Sequence, residues 1–156
     1  MPMRFLTALP VYNEVKHVSA VLDRVLAASR HVLVVDDGPT DGTGIALAAR
    51  DDIEVVTHPT NLGYGAALRS AFDFAVGACY DVLITIDCDG QHEPKLIPDL
   101  VEQVFPAGAE PVDIVSGSRY LQRFAGDSTP PEDRRRINAA VTEMINERVG
   151  LPLTDA

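Results

Sequence analysis

Two carboxylates, Asp87 and Asp89, stand one residue apart in the stretch DVLITIDCDGQ, at the end of a branched apolar run. Close anions repel, so their placement calls for a compensating charge. Along an extended strand residues i and i+2 point the same way, which turns Asp87 and Asp89 toward one ligand and Cys88 into the fold. A hard divalent cation, Mg2+ or Mn2+, takes oxygen donors of this kind, with Gln91 as a third donor if the chain stays extended. Such a cation keeps open positions that substrate phosphates fill. The plainer alternative is a strand-end pair that caps the next turn, and for a lone D-x-D that alternative is favoured. The other motifs must decide.

Asp36 and Asp37 close a second apolar run, HVLVVDDG. Turn chemistry accounts for Asp before Gly, but a carboxylate here can also accept from a base N–H or a ribose hydroxyl. Thr40 or Asp41 reads as the cap of the next helix. In PVYNE, Tyr12 can stack on a flat ring and Glu14 can hold ribose hydroxyls. In NLGYGAALRSAF, Gly63 and Gly65 permit close backbone approach, and Arg69 follows about one turn later.

The composition limits the partners. The formal net charge is −10 over 156 residues, which argues against nucleic acid. Only Lys16 and Lys95 supply lysine, so an anion site must use arginine, backbone amides or a metal. Cys79 and Cys88 lack metal-type spacing and read as two small buried side chains. No apolar run is long enough to span a bilayer. The N-terminus lacks the regions of a signal peptide, which points to a cytoplasmic protein.

The elements that position these residues alternate. Strands are expected over 3–10, 31–37, 53–58, 81–87 and 111–119. Helices are expected over 15–29, 44–50, 64–78, 94–105 and 134–150. The region 122–133 is polar with Pro and Gly and reads as a mobile loop in a single domain spanning 1–156. The alternation predicts an α/β fold with a mainly parallel sheet flanked by helices on both faces. Ligands of such sheets bind beyond the carboxyl ends of the strands. PVYNE, DDG, HPTN, DCDGQ and GSR all fall on that one edge.

Together, PVYNE, VVDDGPTDGT, NLGYGAALRSAF, TIDCDGQHEP and GSRY resemble, in order and spacing, the family-2 inverting glycosyltransferases. The likeness is to the branch of dolichyl-phosphate mannose synthase and the bacterial polyprenyl-phosphate glycosyltransferases. It implies the GT-A nucleotide-sugar fold and metal-dependent transfer of a sugar, with inversion, from a GDP- or UDP-sugar to a polyprenyl phosphate at the membrane surface. It implies that Pro10, Tyr12 and Glu14 line the nucleotide pocket and that Asp37, with Asp36 behind it, touches base or ribose. Asp87 and Asp89, with Gln91, would hold Mg2+ or Mn2+ on the diphosphate. Arg119 would face the phosphates, and one or more of Arg134, Arg135 and Arg136 the acceptor phosphate. If the acceptor is a hydroxyl, Asp155 is the late carboxylate in register to act as base. Pro39 stands where the family usually has serine, and relatives continue past position 156 with an acceptor-side segment.

Three alternatives belong to other classes. A non-catalytic nucleotide-binding remnant would keep the cleft without transfer. A receiver domain shares the acid pair at 36–37 and the strand ending at Asp87, but it needs a lysine at a later strand end, and Lys95 lies too near. A nucleotidyltransferase needs a glycine-rich basic loop after the first strand, which PVYNEVK does not supply.

Overall fold

A computed structural model describes residues 3–90, 92–118 and 131–155 of the chain. The polypeptide divides into two compact units, Met1–Val115 and Ser116–Ala156.

In the first unit, β1 (Phe5–Val11), β2 (Val32–Asp36), β3 (Glu54–Thr57) and β4 (Val82–Thr85) form one sheet in the order β3-β2-β1-β4. Every pairing is parallel, with Val11 opposite Asp36 and Asp36 opposite Thr57. The connections are α1 (Val18–Leu26), α2 (Thr43–Ala48) and α3 (Tyr64–Gly77), and α4 (Ile97–Val104) follows β4 after a short 3-10 turn. Parallel strands need such crossovers, which cover both sheet faces and make the strands apolar on both sides.

Side-chain alternation splits the core into two layers. Leu9, Val11, Val32, Val34, Val82 and Ile84 face the α1 residues Val18, Leu22 and Val25, with Leu47, Ile97 and Val101. Leu6, Ala8, Leu33 and Val35 face Ala67, Ala71 and Ala75 of α3. Those three alanines recur every four residues, so the buried stripe of α3 is flat.

The strands and helices expected from the sequence are present except the fifth strand. Residues 111–118 form no ladder among the described residues. Pro111 has no N–H to donate, Asp113 and Gly117 favour strands poorly, and the Val112 N–H bonds back to Val104 O at 3.0 Å. Cys88 is buried as expected, but Cys79 is exposed, in a left-handed turn with φ 55°. That turn must reverse the chain between α3 and β4 within a few residues, which leaves its side chain outside the core. Among the described residues no helix is long and apolar enough to cross a membrane.

In the second unit, α5 (Glu132–Val149) ends at Gly150, with φ 69°, as a left-handed terminator. The tail then runs back along the helix. Asn146 exchanges two hydrogen bonds with the Leu153 backbone, each 2.9 Å, and Asn138 Nδ2 donates to Asp155 Oδ1 at 2.8 Å. Of the mobile loop expected over 122–133, positions 122–130 lie outside the described residues, and positions 132–133 are already helical.

Candidate functional site

The parallel ladder brings the ends of β1, β2 and β3 to one level, and the site grows from them. β4 stops earlier, with Thr85 opposite Ala8, so residues 86–90 cross the edge as a turn and not as strand. Even so, Cys88 is 3% exposed and packs in the core, while Asp89 is exposed and Asp87 half-buried. Burial and the carboxylates around it (Glu14, Asp89, Asp87) push the Cys88 thiol up to about 12.

A cleft of about 250 Å3 opens on the α3 side of the edge. Its walls are Pro10, Tyr12, Asp37, Asn61, Gly63 and Tyr64, with Val11 and Ala67 at the base. Tyr12 and Tyr64 are 44% and 56% exposed, so two aromatic rings stand available at its mouth. The Tyr64 hydroxyl donates to Asp87 Oδ1 at 3.1 Å. This bond joins the cleft to the acidic turn. The Asp87 N–H donates to His92 Nδ1 at 2.9 Å, and Asp87 Oδ2 lies 4.0 Å from His92 Nε2.

Asp37 organises the cleft wall. Its Oδ1 accepts from the Leu62 N–H at 2.9 Å and lies 2.6 Å from His58 Nδ1, and its Oδ2 accepts from the Gly63 N–H at 2.8 Å. Burial alone would raise this carboxyl, but the bonds from Leu62, His58 and Gly63 outweigh it and hold Asp37 below the usual carboxylate range. Gly38 fits beneath the same loop. Its φ is 70°, and a Cβ there would overlap the Thr60 carbonyl carbon and the Asn61 amide, so only glycine allows this approach. Asn13, also left-handed at φ 56°, accepts from the Thr40 N–H at 2.8 Å and ties the first strand end to the second.

The sequence from residue 7 to residue 153 matches the family described as Glycosyl transferase family 2. The chain belongs to glycosyl transferase family 2. It is 39% identical over 125 residues to polyprenol monophosphomannose synthase of Mycolicibacterium smegmatis, covering 76% of this chain and 46% of that protein. It is 37% identical over 161 residues to undecaprenyl-phosphate mannosyltransferase of Micrococcus luteus, covering 98% of this chain and 63% of that one. The chain thus spans roughly half to two thirds of these relatives. A solved structure of glucosyl-3-phosphoglycerate synthase from Mycobacterium tuberculosis, in complex with Mn2+, uridine diphosphate and phosphoglyceric acid, superposes with a TM-score of 0.54 at 25% identity, covering 67% of this chain and 40% of that one. The expected family and the expected α/β fold of the GT-A type both hold.

The family-2 site residues expected from the sequence are placed differently. Pro10, Tyr12 and Asp37 line the cleft, and Asp87 meets it through Tyr64. Glu14 lies just beyond β1, where its N–H donates to Thr43 Oγ1 at 2.9 Å. Asp89 is on the exposed side of the acidic turn. Asp36 departs from the expectation of ligand contact. It is 0% exposed and does not line the cleft. Strand alternation is the reason: Asp36 points with Val34 toward α2, and Asp37 points with Val35 toward α3. Both Asp36 carboxylate oxygens lack a hydrogen-bond partner among the described residues. Burial, then Asp41 and Asp37, push its carboxyl above the usual range, with His58 opposing.

Asp155, Arg135 and Arg136 belong to the second unit, where both arginines line a groove along α5 and Arg136 pairs with Glu132 at 2.7 Å. Arg119 and Gln91 lie outside the described residues. The N-cap of α2 is Gly42, in a left-handed conformation, and not Thr40 or Asp41 as expected; Asp41, one residue earlier, accepts from the Thr43 N–H at 3.0 Å and the Val15 N–H at 3.1 Å. Sequence reasoning did not single out His58, Asn61 or Tyr64. A histidine ending an apolar strand, HPTN, was the available signal.

Asp87 and Asp89 suit a hard cation by chemistry, as exposed or half-exposed oxygen donors. No cluster of three or more His, Cys, Asp or Glu residues arranged for a metal occurs among the described residues. Two carboxylates fit a cation that completes its shell with phosphate oxygens and water, not a closed protein cage.

Proposed function

We propose that this domain transfers a sugar from a nucleoside diphosphate sugar to a polyprenyl phosphate, with inversion at the anomeric carbon. The observation that carries the reading is the Tyr64–Asp87 bond, which makes the aromatic cleft and the acidic turn one continuous surface. The names of the two relatives above support the lipid-phosphate acceptor.

Tyr12 stacks on the base, Pro10 backs it, and Asp37 accepts from a base or ribose donor. Glu14 takes ribose hydroxyls. Asp87 and Asp89, with Gln91, hold Mg2+ or Mn2+, which supplies Lewis-acid neutralisation of the leaving diphosphate. Arg119 adds charge-assisted bonds to phosphate, and Arg135 and Arg136 grip the acceptor phosphate. A phosphate acceptor is already an anionic nucleophile and requires no base. A hydroxyl acceptor would need one, for which Asp155 is the candidate. The protein meets its lipid acceptor as a peripheral partner of the membrane surface.

Calorimetry with UDP and GDP, each with and without Mn2+, tests the reading, followed by a transfer assay with GDP- and UDP-sugars and a polyprenyl phosphate. Cation-dependent binding of one nucleotide and chelator-sensitive transfer are expected. Binding without transfer would reduce the domain to a nucleotide-binding module. Transfer indifferent to a chelator would overturn the role of Asp87 and Asp89.

A further inference from the structure

His58 and Ser70 do not line the cleft, yet they are wired into its wall. His58 is 9% exposed and ends the β3 run. Its Nδ1 lies 2.6 Å from Asp37 Oδ1 and its Nε2 2.8 Å from Ser70 Oγ on α3. A carboxylate only accepts, so Nδ1 carries the proton of the first bond. A hydroxyl both donates and accepts, so Ser70 satisfies Nε2 in either ring state. The His58 N–H also donates to Asp36 O at 2.8 Å, which pins the backbone beside the ring. Asp37 passes this anchoring on to the Leu62 and Gly63 amides, and Asn61, Gly63 and Tyr64 are cleft residues.

We propose that His58 is a positioning residue for the nucleotide cleft: it acts through Asp37, and Ser70 fixes its ring. The order serine–histidine–aspartate is that of a nucleophilic triad, but Ser70 Oγ sits within α3 and does not line the cleft. The chain therefore aims a carboxylate and closes a loop. The assignment rests on the nucleotide reading above.

The test compares wild type, His58→Ala, His58→Asn, His58→Gln and Ser70→Ala in the 156-residue chain. The readouts are amide hydrogen exchange and calorimetry with UDP and GDP in Mn2+. An asparagine amide can donate near the Nδ1 position and a glutamine amide near the Nε2 position. His58→Ala and His58→Gln are expected to speed exchange at Leu62 and Gly63 and to weaken nucleotide binding by about tenfold, the size of one charge-assisted hydrogen bond. Leu33 and Val34 in the core should be unchanged. His58→Asn should recover most of both effects. Ser70→Ala should show the same pattern more weakly, and it carries the comparison if His58→Ala does not fold. Unchanged Leu62 and Gly63 exchange, loosening spread evenly over the core, or equal losses in His58→Asn and His58→Gln would overturn the assignment. If wild type binds nucleotide and His58→Ala binds it equally well, only the role of His58 falls. If wild type binds neither nucleotide, the nucleotide reading fails and takes this proposal with it.

Discussion

The Tyr64 hydroxyl donates to Asp87 Oδ1 at 3.1 Å, linking the first residue of α3 to the turn after β4. Among the described residues this carboxylate has no other close side-chain anchor, since His92 Nε2 is 4.0 Å from Oδ2. Tyr64→Phe removes the hydroxyl and keeps the ring. A bond to a charged group at a half-exposed site is worth about 1 kcal/mol, so cation-dependent nucleotide affinity should fall about fivefold. Binding without cation should be nearly unaffected. Isothermal titration with and without Mn2+ reads both.

Asp89→Ala should abolish the cation dependence of nucleotide binding while the fold persists, because Asp89 is exposed and outside both core layers. Equal diphosphate affinity for variant and wild type in Mn2+ would refute this. Circular dichroism confirms the fold in the same samples.

Asp37→Asn tests the wall of the cleft. Two backbone amides and an imidazole lose an ionic acceptor in a buried place, a loss of about 2–3 kcal/mol. The folded carboxyl lies below its ordinary value, so its stabilisation is fully present above that value and lost as pH falls through the folded one. The gap between wild type and variant should therefore close on acidification. Urea denaturation at several pH values measures it.

Asp36 has the opposite sign. Its folded carboxyl lies above the ordinary value, so between the two values the native state holds a proton that the unfolded chain has released. Stability should fall as pH rises across that window and then level off. Asp36→Asn should remove the fall and equal or exceed wild-type stability at neutral pH. A variant markedly less stable than wild type at neutral pH would contradict this.

Gly38→Ala forces a side chain into the Thr60–Asn61 backbone at a positive φ. A cost of about 1–3 kcal/mol is expected, with a lower melting temperature and weaker nucleotide binding. A thermal-shift assay suffices.

The sheet was legible because its signals are local and repeated. Branched apolar runs end in polar residues, and helical spacing such as Val18, Val21, Leu22 and Val25 lies between them. The fifth strand was not, since Val112 and Ile114 look like strand residues until a partner ladder is sought. For the site, types and edge were readable and orientation was not. Asp36 and Asp37 are chemically equal in sequence, and only the register of β2 sends one toward α2 and the other toward the cleft. His58 and Tyr64 act through residues 21 and 23 positions away, a distance that no local pattern encodes.

Of the four strands of this sheet, the earliest in the chain ends up with a neighbour on each side. Phe5 pairs with Val82, so β1 emerges long before its second neighbour has been synthesised. Until then one edge of the nascent sheet keeps its backbone donors and acceptors unpaired, the kind of surface that invites wrong pairing. Deleting Phe5–Val11 would cut the sheet into two pieces, whereas losing Glu54–Thr57 would only trim it.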